Sequence, residues 1–212
     1  MINNYKHVIW DWNGTLLNDV DLCIDIINGI LVKRKLQALS PDDYKRIFTF
    51  PVKDYYTSAG LDFTLDTFEV LGSEWMVEYE KRRDESCLYD GVNDILSYIT
   101  NCGIKQSVLS AYMQNTLEDI INLMGLSDYF THISGLDHIY AHGKIETGKA
   151  LIKKIGLTKS EVVLIGDTIH DFEVASEIGA ECILIASGHQ SRERLLTCGV
   201  PVLDSIMNLK EN

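Results

Sequence analysis

Four groups of residues in this 212-residue chain carry side chains suited to handling a transferable anionic group. The first is the run Val8-Ile9-Trp10-Asp11-Trp12-Asn13-Gly14-Thr15-Leu16, where an acid closes an apolar stretch and a glycine turn follows. A carboxylate in that place can attack an electrophile while backbone N–H groups of the turn approach the oxygens being transferred. The second is Val108-Leu109-Ser110, a hydroxyl able to donate to a phosphate oxygen. The third is Lys144, whose ammonium can pair with both a nucleophilic carboxylate and a phosphate. In the fourth, Val162 to Asp171, an apolar run ends in Gly166-Asp167 and a second acid, Asp171, follows four residues later. Two such acids suit a hard cation that prefers oxygen and keeps several waters, which is magnesium. An acid closing an apolar run is costly without a partner, so Asp11 and Asp167 read as functional rather than structural.

These groups need elements that deliver them to one place. Tyr5 to Trp12 reads as a short buried strand running into the Asn13-Gly14 turn. From Asn18 to about Glu85 apolar residues recur at helical spacing, as in Leu22, Ile26, Ile27, Ile30 and Leu31 and again in Phe68, Leu71, Trp75, Met76 and Tyr79. That spacing predicts a helical insert of three or four helices, broken near Ser40-Pro41, Phe50-Pro51 and Ala59-Gly60. After Tyr89-Asp90-Gly91, helices (92–100, 115–124, 147–155) alternate with strands (104–109, 130–134, 162–165, 181–186, 201–203). Such alternation indicates an α/β fold, a doubly wound parallel sheet covered on both faces. The expected division is a Rossmann-like core of residues 1–17 and 87–212 and an inserted α-helical cap of residues 18–86. Ligands in such folds collect beyond the carboxyl ends of the strands, which is where the four groups fall.

Composition narrows the chemistry further. A formal net charge of −12, from 19 basic against 31 acidic residues, repels a phosphate backbone and argues against nucleic acid as a partner. A small anionic substrate must then be received by local cations and a metal ion. The 5 cysteines are scattered without a C-x-x-C pair, which suggests neither a disulfide framework nor a zinc site. His138 and His142 lack a third ligand at metal spacing. No signal sequence and no membrane-length apolar run is evident, so a soluble cytoplasmic protein is expected, with no membrane partner. Nothing in the sequence indicates an oligomeric state.

In order, the four groups resemble the signature of the haloacid-dehalogenase-like superfamily: Asp-x-Asp-Gly-Thr, then Ser or Thr, then Lys, then Gly-Asp-x-x-x-Asp. The resemblance covers nearly the whole chain, and the insertion resembles the helical cap of the phosphoglycolate-phosphatase-like branch. It implies a Mg²⁺-dependent phosphatase hydrolysing small phosphomonoesters through an aspartyl-phosphate on Asp11. By the same resemblance the metal is held by Asp11, the backbone carbonyl of Asn13, Asp167 and Asp171. Gly14, Thr15, Ser110, Ala111 and Lys144 then receive the phosphoryl oxygens, where most of the catalytic effect lies. The substrate implied is a small phosphorylated metabolite.

Residue 13 departs from the pattern. The family's second aspartate, which protonates the leaving oxygen and activates water, is Asn13 here, and an amide can do neither. Another residue could take over, with Asp19, Asp171 and His170 as candidates. Alternatively the protein is a weakened phosphate-binding or regulatory relative, a hydrolase of activated phosphates such as acyl phosphates or pyrophosphate, or one altered to trap a complex. Where the family usually shows Lys-Pro, this chain has Lys144-Ile145, with Lys149 a second candidate; Lys144 is preferred because it precedes the predicted helix and Lys149 falls inside it. Trp12 reads equally as a wall of the site or a packing residue, Phe68, Trp75, Met76 and Tyr79 as helix-bundle core rather than substrate pocket, Glu78 to Glu85 as a solvated helix face, and His189 to Arg192 as lying near the site edge.

Overall fold

The apolar run His7–Trp10 forms β1, the middle of a six-stranded sheet whose order is β5-β4-β1-β6-β7-β8. The computed structural model describes residues 2–136 and 143–210. The flanking strands are β4 (Lys105–Met113) and β5 (His132–Leu136) on one side, and β6 (Val162–Gly166), β7 (Glu181–Ile185) and β8 (Val202–Leu203) on the other. All neighbours in this sheet are parallel. Alternate residues of the buried strands enter two separate cores, as a sheet covered on both faces requires. Val8, Trp10, Val108, Val163 and Ile165 pack towards α5 (Val92–Asn101) and α6 (Gln114–Leu123). Ile9, Leu109 and Leu164 pack towards α7 (Gly143–Ile155) and α8 (Ile169–Ile178). The architecture is the expected doubly wound α/β sheet with a helical insertion.

The insertion holds four helices: α1 (Val20–Lys33), α2 (Pro41–Ile47), α3 (Val52–Ser58) and α4 (Phe68–Arg82). Each break has a local cause. Ser40 caps α2 by accepting from the Asp43 amide at 3.1 Å, with Pro41 at the first helical position, where its missing N–H costs nothing. Phe50–Pro51 leads into α3, and Thr67 caps α4. The chain enters and leaves the insertion through β2 (Leu17–Asn18) and β3 (Cys87–Leu88), which pair antiparallel to each other.

Two elements differ from the sequence expectation where it matters for the site. Strand β4 continues past Leu109 to Met113, with an irregular register between those residues, so Ser110 and Ala111 lie within the strand rather than after it. The apolar pattern simply runs on through Tyr112 and Met113. Helix α7 begins at Gly143, not Thr147, so Lys144 stands in its first turn and not ahead of it. His138 and His142 lie outside the described residues.

Candidate active site

Asp11 follows β1 and Asp167 follows β6, two strands that lie side by side. From β1 the chain continues to β4 on one side, and from β6 to β7 on the other, so the crevice between them is the switch point of the sheet. The Asp11 amide donates to the Ile165 carbonyl at 2.8 Å, carrying the pairing of β1 and β6 up to the acid. Lys144 reaches in from α7 and its Nζ donates to Asp11 Oδ1 at 2.6 Å and to Asp171 Oδ1 at 2.7 Å. Lys149 is exposed and pairs instead with Glu146 on its own helix, at 3.0 Å. Of the two lysines it is Lys144 that meets the acids, from the first turn of α7 and not from ahead of it.

Asp11, Asp167 and Asp171 are all buried and offer carboxylate oxygens within 4.8 Å of one another. Their charges are unequally served. Asp171 is held below the usual carboxylate range, the pull of Lys144 and of hydrogen bonds outweighing its burial. Its Oδ2 accepts from the Thr168 hydroxyl at 2.7 Å and from the amides of Thr168 and Asp167 at 3.0 and 3.2 Å, closing the capping box of α8. Asp11 is pushed upward by burial and by the charge of Asp171, which Lys144 offsets only in part. Asp167 is pushed upward as well, chiefly by burial. One ammonium set against three buried carboxylates leaves negative charge uncompensated, which disfavours ionisation unless a cation is added. The donor set is all oxygen, and the residues present therefore fit magnesium.

Asp167 is aimed by tight backbone on two sides. Its Oδ2 accepts the His189 amide at 2.6 Å and its Oδ1 the Thr15 hydroxyl at 3.0 Å. A Cβ at Gly188 would lie 2.3 Å from the Asp167 Cβ, and one at Gly14, which has φ +74°, would lie 2.4 Å from Asp167 Oδ2. A side chain at either position would displace Asp167, and at Gly14 it would also meet an unfavourable backbone conformation.

The side chain of Asn13 faces the insertion. Its Nδ2 donates to Asp19 Oδ2 at 2.8 Å and to the Tyr79 hydroxyl at 2.7 Å, and that hydroxyl donates in turn to Asp19 Oδ2 at 2.8 Å. Asp19 Oδ1 accepts the Gly14 amide at 3.0 Å and lies 3.3 Å from His189 Nε2. Burial opposes the charge on each partner of this pair, yet their mutual attraction prevails: Asp19 is held low and His189 high. The other ring nitrogen of His189 meets the Tyr44 hydroxyl of α2 at 2.9 Å. Tyr79, which read as helix-bundle packing, and Tyr44 are thus part of the site's surroundings, joined to it through Asp19 and His189. Asp19, Cys23 and His189 also lie within coordination reach of one another, but the Cys23 thiol already donates to Asp19, at 3.6 Å.

The residues expected to receive phosphate are distributed unevenly. Ser110 is buried and its Oγ accepts the Tyr112 amide at 3.1 Å, which leaves its hydrogen to donate. Ala111 sits beside it in the irregular stretch of β4. Thr15 spends its hydroxyl on Asp167, and the Gly14 amide is spent on Leu17 and Asp19. The amides of Trp12 and Asn13, which the sequence reading did not single out, have no acceptor among the described residues. Both precede Gly14, whose positive φ makes the turn that follows β1. Trp12 is fully buried and packs in the core, its Nε1 unpartnered. His170 lies against Phe50 of the insertion, with ring centroids 4.9 Å apart, and its Nε2 is likewise without a partner.

Among the described residues no helix is long and apolar enough to cross a membrane. A family model described as haloacid dehalogenase-like hydrolase matches residues 8–185. The chain is 24% identical over 208 residues to a phosphoglycolate phosphatase from Caulobacter vibrioides, covering 94% of this chain and 86% of that one. It is 28% identical over 183 residues to the pyrophosphatase PpaX from Listeria innocua, covering 82% and 79%. In fold it resembles Protein Tyrosine Kinase A of Mycobacterium tuberculosis, with a TM-score of 0.80 at 19% identity over 98% of this chain and 97% of that one. Likeness to proteins with such different names does not fix an activity, which rests on the site.

Proposed function

The chain belongs to the haloacid dehalogenase-like hydrolase family, and on that premise we propose that it is a magnesium-dependent phosphatase of small phosphorylated metabolites that works through an aspartyl-phosphate on Asp11. The observation that carries the reading is the meeting of Lys144 with Asp11 and Asp171 in a buried cluster that also includes Asp167, at the sheet's switch point. Asp11, Asp167 and the backbone carbonyl of Asn13 would hold the ion, with Asp171 binding directly or through water. Bound there, magnesium would neutralise charge on the phosphoryl oxygens and on the acids beside them.

The chain's own residues do the rest. Lys144 clamps Oδ1 of Asp11 and fixes the carboxylate's orientation, so the attack on phosphorus needs little reorganisation. The free amides of Trp12 and Asn13, the Ser110 hydroxyl and Lys144 receive the phosphoryl oxygens, with Gly14 and Thr15 shaping the turn and Ala111 the irregular stretch of β4 that carry them. The helical cap, residues 18–86, closes the far side and keeps water from the reacting atoms. Lys45 donates to the Ser187 carbonyl at 3.1 Å and Gln190 to the Phe48 carbonyl at 2.9 Å, contacts that tie this cap to the loop carrying His189.

The test is magnesium-dependent phosphate release from an aryl phosphate, with acid-quenched protein analysed for phosphate on Asp11. Turnover that is lost in Asp11→Asn supports the reading. Turnover that survives in Asp11→Asn removes it.

A further inference from the structure

Which phosphates the site accepts depends, once the phosphatase reading above is taken as its basis, on where protons can be found. Around Asp11 the acids and Thr15 have no hydrogen left for a departing oxygen, and of the donors still open the Ser110 hydroxyl and the third Lys144 hydrogen serve the phosphoryl oxygens, while His170 Nε2 lies under Phe50. Asp171 accepts Lys144 and the Thr168 and Asp167 groups, and so has no hydrogen to give. Thr15 gives its hydrogen to Asp167, and Lys144 is clamped between two carboxylates as the ammonium. Asp19 accepts from Gly14, Asn13, Tyr79 and Cys23 and pairs with His189.

The same bonds fix the orientation of Asn13. The single hydrogen of Tyr79 goes to Asp19 Oδ2, so its oxygen must accept, and Nδ2 of Asn13 supplies hydrogens to both. Oδ1 of Asn13 receives nothing from the described residues and is left as a bare acceptor. A carboxylate at position 13 would face Asp19 at contact distance, with one tyrosine hydrogen between two anions. Amide and acid at 13 and 19 are therefore set jointly.

We propose that the site acts on phosphates whose leaving group departs without taking a proton, acyl phosphates and phosphoanhydrides, and discriminates against alkyl and sugar phosphates, because Asp19 and Tyr79 lock Asn13 as an acceptor. As Asp11 bonds to phosphorus, the bond to the leaving oxygen breaks and its electron pair leaves on a carboxylate or phosphate, an anion stable in water. Water then attacks phosphorus, the bond to Asp11 breaks with its electron pair returning to the carboxylate, and both hydrogens of the water end on inorganic phosphate. Asn13 Oδ1 orients that water by accepting from it.

The experiment compares kcat/KM of the unaltered protein, with magnesium, on acetyl phosphate, pyrophosphate, glycerol phosphate and glucose 6-phosphate. Either activated phosphate should exceed both esters by at least about 10²-fold, the usual worth of a proton donor. The rates on acetyl phosphate and pyrophosphate relative to each other identify which activated class is taken. The double variant Asn13→Asp with Asp19→Asn exchanges the two groups, and the amide then at position 19 can still accept from Gly14 and donate to position 13. It should narrow that ratio at least roughly tenfold. Asn13→Asp alone should narrow it less. Esters cleaved within about tenfold of the activated phosphates overturn the inference while the phosphatase reading stands, and loss of ester cleavage in His170→Gln then names the proton donor. No phosphate from any substrate, with no phosphate on Asp11 after acid quench, overturns both.

Discussion

Nζ of Lys144 lies 2.6 Å from Oδ1 of Asp11, joining residues 133 apart in the chain inside a space that water scarcely enters. A buried ion pair of this kind contributes little net stability when intact, because desolvation offsets the attraction, but it is costly to break.

Lys144→Met should therefore destabilise the protein by about 3–5 kcal/mol in urea unfolding without divalent ions, since Asp11 and Asp171 lose their shared cation. Adding magnesium should recover part of the loss.

Magnesium should raise the melting temperature of the unaltered protein. At an ion concentration near a hundred times Kd the gain is about 2.7 kcal/mol, or roughly 5–10 °C for a chain of this size. In Asp167→Asn, which removes a member of the carboxylate cluster, a calorimetric scan should show little or none of that rise.

Gly188→Ala should harm activity more than folding. Its methyl group would meet the Asp167 side chain well inside contact distance, and the acid must move. A displacement near 1 Å costs about 10²-fold in rate. Magnesium-dependent turnover should fall by that order, and a loss confined to stability would contradict the account of how Asp167 is aimed.

His7 gives the protein an acid-sensitive element far from the chemistry. It is buried in β1 with Nε2 2.9 Å from Ser107 Oγ, and burial, then the nearby His132 and Lys105, lower it to about 4. The unfolded chain takes up this proton near pH 6.5 and the folded one does not, so the contribution is complete above that pH and is lost as pH falls towards 4. Unfolding free energies at pH 7 and 4.5 should show a loss of about 2 kcal/mol that His7→Gln does not share.

The reach of the sequence depended on how local each feature is. Asp11 and Asp167 were legible because each closes a short apolar run, and a strand that ends in an acid announces itself. The expected α/β sheet with its helical insertion followed from the same runs and their spacing. Tyr79 was not legible, since one helical periodicity serves packing and site alike, and only the docking of α4 brings its hydroxyl to Asp19, 60 residues away. The partnership of Asp19 with His189 depends on a loop after β7, far along the chain from Asp19. For Lys144 and Ser110 the element boundary was misplaced by a few residues, because α7 starts at Gly143, a residue of low helix propensity, and apolar residues continue beyond Ser110.

The pairing of Leu17 with Leu88 and of Asn18 with Cys87 means that the insertion departs from and returns to one point on the core. Whatever is spliced between those residues leaves the spacing of β1 and α5 untouched. The helical unit is in that sense a separate module hung on the core, and what it brings to the cluster, Asp19 and Tyr79, arrives from outside the sheet that carries Asp11 and Asp167.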